Sequence, residues 1–92
     1  MTKRVHVFYS GRVQGVGFRL TAEEAARSYH IVGWVKNLRD GRVELLAEGD
    51  EAILRQFLEA VANGPMKNFI RQAEIFWSNA SKTFEEFEIR YY

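Results

Sequence analysis

The run Gly11-Arg12-Val13-Gln14-Gly15-Val16-Gly17-Phe18-Arg19 is the part of the chain best suited to chemistry. Glycines allow a loop to turn successive backbone N–H groups towards one point, because no Cβ blocks the unusual φ values or the approach of a ligand. A helix starting at the end of such a loop adds unpaired N–H groups and the positive end of its dipole. Together these suit a phosphate dianion. Arg19, in the first helical turn, can add a bidentate, charge-assisted contact to the same anion. Alone, the run is equally readable as a glycine-rich strand-to-helix turn that binds nothing.

Three familiar glycine motifs do not fit. In a Walker loop counted from Gly11 the second glycine falls on Val16, and no Lys-Ser/Thr follows. A dinucleotide fingerprint from Gly15 needs its third glycine at Leu20. The RNA-recognition pattern needs a stacking aromatic where Val16 stands, on a strand and not before a helix.

A second segment, Gly33-Trp34-Val35-Lys36-Asn37-Leu38-Arg39-Asp40-Gly41-Arg42-Val43-Glu44, carries Asn37, whose carboxamide can both donate and accept. Read by itself, Asn37 is a turn former ahead of Asp40-Gly41. Glu23, Glu24, Glu44 and Glu48 read as solvated surface charges. His6 and His30 lack metal-ligand spacing and read as structural, so no metal site is expected.

These segments need elements to position them. Val5 to Ser10 is β-branched and aromatic and predicts a first strand. Phe18, Ala22, Ala25, Ala26 and Tyr29 form one apolar helical stripe. Ile31 to Leu38 and Val43 to Ala47 predict two strands joined at Asp40-Gly41, a hairpin signal. Asp50 is placed to cap a second helix whose Ile53, Leu54, Phe57, Leu58 and Val61 share a face, with Asn63-Gly64-Pro65 as its stop. Ile70 to Trp77 predicts a strand, and Phe84 to Tyr91 alternates imperfectly, as a short edge strand would. The order β-α-β-β-α-β plus one terminal strand predicts an α+β, ferredoxin-like sandwich, an antiparallel sheet with two helices on one face.

Composition bounds the rest. Ninety-two residues, 47% hydrophobic with seven Phe, four Tyr and two Trp, suit one domain over residues 1–92 with one modest core. Absence of cysteine removes disulfides, thiolate nucleophiles and thiolate metal sites. Thirteen basic against twelve acidic residues give +1, far from the basic excess of a nucleic-acid binder. No signal-peptide core or membrane span is legible, so the expectation is a cytoplasmic protein without membrane or nucleic-acid partners.

With both motifs and the element order in view, the whole chain resembles the acylphosphatase family: Gly11 to Arg19 is similar to its first signature, and Gly33 to Asn37, continuing through Asp40-Gly41 to Val43-Glu44, to its second. The resemblance implies hydrolysis of carboxyl–phosphate anhydrides without a metal or cofactor. It implies that Arg19 binds the substrate phosphate, that Asn37 orients water, and that the backbone N–H groups of Gln14, Gly15, Val16, Gly17 and Phe18 form the cradle. Inorganic phosphate would be product and inhibitor, and the enzyme a monomer. Two departures stand out: His30 replaces the family's usual glycine at the end of the first helix, and Met66 to Ile70 replaces a Pro- and Ala-rich stretch. A left-handed residue at His30 predicts a small stability cost without catalytic effect. Competing readings are a non-catalytic phosphate-binding module, an RNA-binding domain, and the acylphosphatase-like part of a larger hydrogenase-maturation protein.

Overall fold

The computed structural model describes residues 1–91. The elements are β1 (Thr2–Gly11), α1 (Phe18–Ser28), β2 (Val32–Asn37), β3 (Val43–Asp50), α2 (Glu51–Asn63), a short 3-10 turn (Lys67–Phe69), β4 (Ile70–Asn79) and β5 (Phe87–Arg90). The sheet runs β4-β1-β3-β2-β5.

β1 lies between β4 and β3 and pairs antiparallel with both, so Val5 lies opposite Ala47 on one side and Trp77 on the other. This double pairing extends β1 and β3 beyond the apolar stretches that announce them. The Thr2–Asp50 pairing carries β3 through Glu48-Gly49-Asp50, residues of low strand preference. β5 is a short edge strand, as expected, but it runs parallel to β2, with Trp34 beside Glu88. The sheet is therefore mixed.

Alternation places Val5, Val7, Tyr9, Val35, Val43, Leu45, Ala47 and Phe87 on the face that packs against the helices, where they form the core with Phe18, Ala22 and Ala26 of α1 and Leu54, Phe57 and Val61 of α2. The Asp50 carboxylate accepts the Ala52 N–H at 3.1 Å and caps α2. At the end of α1, His30 is left-handed at φ 57°. Its N–H donates to Arg27 O at 3.2 Å and that of Ile31 to Ala26 O at 2.9 Å, which is a Schellman closure with histidine in the glycine position.

Two acidic residues are not the solvated charges their type suggests. Glu44 is half-buried on the open face of the sheet, 2.6 Å from His6 Nε2 and 3.8 Å from Lys36 Nζ. Glu48 is only 2% exposed. It accepts from Arg4 Nε at 2.8 Å and from the Ser81 N–H, Ser81 Oγ and Lys82 N–H at 2.9 Å each. Burial raises its pKa, but the Ser81 and Lys82 amides and the Arg4 and Ser81 side chains outweigh burial and hold it below the usual carboxylate value. A buried charge is tolerated here because four donors replace its water.

Candidate active site

The loop from Gly11 to Gly17 is held at both ends. The Arg12 N–H donates to Phe69 O at 2.9 Å. Val13 is buried in the core, and Phe18 packs its ring on Tyr9 with centroids 4.8 Å apart. Burial against these neighbours pushes the Tyr9 phenol up, leaving it a neutral packing group. Between the anchors, Gly15 and Gly17 have φ of 76° and 83°. An added Cβ at either would meet nothing within 4 Å, so the demand for glycine there is conformational, not steric. Gly17 also precedes α1, and the Thr21 N–H to Gly17 O bond at 3.0 Å closes the first turn. The N–H groups before Thr21 have no intrahelical acceptor. No side chain caps this end and no acidic residue sits in its first turn, so its positive field is left for an anion.

Asn37 ends β2, opposite Val43 at the start of β3. The hairpin between them is one residue longer than a two-residue Asp-Gly turn and differently built. The Leu38 N–H donates to Arg42 O at 2.8 Å, closing a three-residue loop in which Gly41 alone is left-handed, at φ 97°. Asp40 accepts the Arg42 N–H at 3.0 Å and its Nε at 2.9 Å. The Arg42 N–H is the main reason the Asp40 carboxyl lies below its ordinary value.

β1 and β2 do not pair; β3 lies between them. Two strand spacings, about 9–10 Å, therefore separate the strand that leads into the loop from the one that ends in Asn37. The Gln14 side chain crosses that gap. Its Nε2 donates to Leu38 O at 2.6 Å and to Arg42 O at 2.9 Å, the two residues at the neck of the hairpin.

A cavity of about 290 Å³ lies where loop, helix start and β2 converge. Of the residues singled out from sequence, Gly15, Gly17, Phe18, Arg19 and Asn37 line it. Gln14 and Val16 do not: the Gln14 side chain is turned to the hairpin, and Val16 packs against the core. Val13, Leu20, Ile89 and Tyr91 complete the lining. Leu20 was legible in principle, as an apolar residue off the stripe that α1 buries. Ile89 and Tyr91 reach the cavity only because β5 runs parallel to β2, which no local pattern reveals. The Arg19 guanidinium carbon lies 5.1 Å from the Tyr91 ring centroid, and no carboxylate among the described residues pairs with it. Among the described residues no carboxylate lines the cavity either. This chamber, with one arginine, a carboxamide and open helix-start amides, is suited to a phosphate group, and its described residues offer no acid–base pair. Among the described residues no three His, Asp or Glu side chains gather as a metal site, and no helix is long and apolar enough to cross a membrane.

The family profile described as Acylphosphatase matches residues 5–89. The chain is 43% identical over 88 residues to an acylphosphatase of Salinibacter ruber, covering 96% of this chain and 93% of that one. It is 45% identical over 86 residues to an acylphosphatase of Bacillus velezensis, covering 94% and 96%. Its fold is similar to the crystal structure of acylphosphatase from Bacillus subtilis, with a TM-score of 0.90, 40% identity and coverage of 97% and 99%.

Proposed function

The chain belongs to the acylphosphatase family, which hydrolyses acyl phosphates at the carboxyl–phosphate bond, and from that premise we propose how its residues divide the work. Arg19 and the backbone N–H groups of Gln14, Gly15, Val16, Gly17 and Phe18 hold the phosphoryl group and offset charge as the bond to the carboxylate lengthens. Asn37 orients a water for in-line attack on phosphorus. The observation that carries this assignment is the meeting of Arg19, at the start of α1, with Asn37, at the end of β2, in one cavity with the loop glycines.

An acyl phosphate is already activated, so positioning and electrostatics suffice, without a metal or a covalent nucleophile. Each hydrogen bond to the charged group contributes about 1.5–3 kcal/mol, and several act together. The water's proton passes to a phosphate oxygen of the substrate, since among the described residues no carboxylate or imidazole lines the cavity. The enzyme works as a cytoplasmic monomer of one domain, with inorganic phosphate competing for the same cradle.

The test is hydrolysis of an aryl acyl phosphate, followed by ultraviolet absorbance with excess chelator present. Turnover should persist under chelation and be competitively inhibited by inorganic phosphate. Arg19→Gln should lose nearly all activity while staying folded, and Asn37→Ala should do so with phosphate binding retained. Near-normal turnover in either variant would remove that residue from the mechanism.

A further inference from the structure

We propose that Gln14 is a positioning residue whose carboxamide fixes the distance between the phosphate-holding loop and Asn37. This rests on the roles given to the loop and Asn37 above. The two halves of the site come from strands that do not pair, and a side chain from one half is bonded to the backbone of the other. Both acceptors are chosen tellingly. Leu38 directly follows Asn37, and Arg42 directly precedes its strand partner Val43, so the clasp lies one residue from the Asn37 pairing on each side.

The chemistry at this point calls for a group that can donate two N–H bonds. Leu38 O already accepts the Gly41 N–H, and Arg42 O the Leu38 N–H. Each carbonyl thus gives its second lone pair to Gln14. Because both partners are carbonyl oxygens, only the amide nitrogen can face them, which fixes the orientation of the carboxamide. A carboxylate there would set acceptor against acceptor, and an alkyl chain would leave the neck of the hairpin untied. On the loop side, buried Val13 precedes Gln14 and left-handed Gly15 follows it, so the residue that holds the hairpin is itself held. Removing the clasp leaves the cradle amides and Arg19 in place on α1 and the core, and frees the end of β2 to drift. Water placement should suffer while phosphate binding does not.

Gln14→Met keeps the length and removes the donors. With an aryl acyl phosphate, its kcat should fall roughly ten- to a hundredfold, the range expected when a reacting group is misplaced by about 1 Å. Competitive inhibition by inorganic phosphate should stay within about threefold of the wild-type constant, since hydrogen bonds to the anion are untouched. Gln14→Lys restores N–H donors and should recover most of the lost kcat. A loss of phosphate binding equal to the loss of kcat would make Gln14 a plain stabiliser of the loop and overturn the proposal. So would a kcat within twofold of wild type, or a lysine variant as slow as the methionine one. If Gln14→Met does not fold, Gln14→Asn, with its amide one methylene short of the hairpin, replaces it under the same criteria. Asn37→Ala run alongside separates the two ideas: if it turns over normally, the role of Asn37 fails first, whatever Gln14 does.

Discussion

Replacing Glu48 by glutamine keeps the shape of the side chain and removes its charge at the end of the sheet far from the cavity. If the glutamine oxygen takes the place of Oε2, it retains Arg4 Nε and both Ser81 donors. Those three bonds weaken from the charged to the neutral class, by about 1 kcal/mol each. The glutamine NH2 then faces the Lys82 N–H, which loses its acceptor at a cost of about 1–3 kcal/mol. Allowing for the partial exposure of Arg4, the total is about 3–5 kcal/mol, in line with breaking a buried ion pair from one side. A domain of this size has only about 5–14 kcal/mol to lose. Urea unfolding at pH 7 should therefore show a midpoint lower by about 2 M, taking a slope of about 2 kcal/mol per M. The kcat of the folded fraction should not change, because Glu48 and the hairpin lie at opposite ends of β3. The pH dependence supplies a second check. The folded-state pKa lies below the ordinary 4.5, so the stability Glu48 contributes is complete above 4.5 and is lost as pH falls through the folded value. The gap between wild type and variant should narrow in acid. A loss under about 1 kcal/mol at pH 7, or a gap indifferent to pH, would refute the account of Glu48 as a charge satisfied by its four donors.

His30→Gly should stabilise the fold by about 0.5–1 kcal/mol, because the left-handed penalty of about 1–2 kcal/mol is removed against the extra chain entropy of glycine. A calorimetric midpoint that does not rise would mean the histidine ring makes up the difference. Among the described residues no histidine, aspartate or glutamate lines the cavity, so kcat at saturating substrate should be flat between about pH 6 and 8; a bell-shaped profile would demand an acid–base pair that the described lining lacks. Leu20→Ala should raise KM about fivefold for an aryl acyl phosphate, the loss of about 1 kcal/mol of apolar contact, and leave acetyl phosphate unchanged. Equal effects on both substrates would deny the apolar wall any part in holding the acyl group.

What the sequence made legible was local. The stripe of α1 and the cap at Asp50 each follow from residues within a turn or two of one another, whereas the left-handed place of His30 followed from the glycine that the resembling family has there. Arg19 was legible as a cation at a glycine-rich helix start, but Asn37 read by itself as a turn former and took its role only from the family resemblance of the two segments. The features that escaped are those made by distant partners. Glu48 reads as a surface charge until the segment at Ser81 and Lys82 folds over it. Gln14 reads as one more loop residue until the hairpin neck arrives beside it. Tyr91 and Ile89 enter the cavity through the parallel pairing of β5, a contact between strands far apart in the chain.

The separation of the two halves of the site by β3 also dictates when the protein becomes active during refolding. The β2–β3 hairpin and both helices are built from neighbouring residues and can form early. The loop joins Asn37 only after β1 docks along β3, pairing Thr2 with Asp50 and Tyr9 with Val43. That closure of a long chain segment is the slow, entropically costly kind of event. A chain with full helix content but an undocked first strand would hold Arg19 and Asn37 without a shared cavity, so recovery of turnover should lag behind helix content and coincide with the final burial of Val5 and Val7.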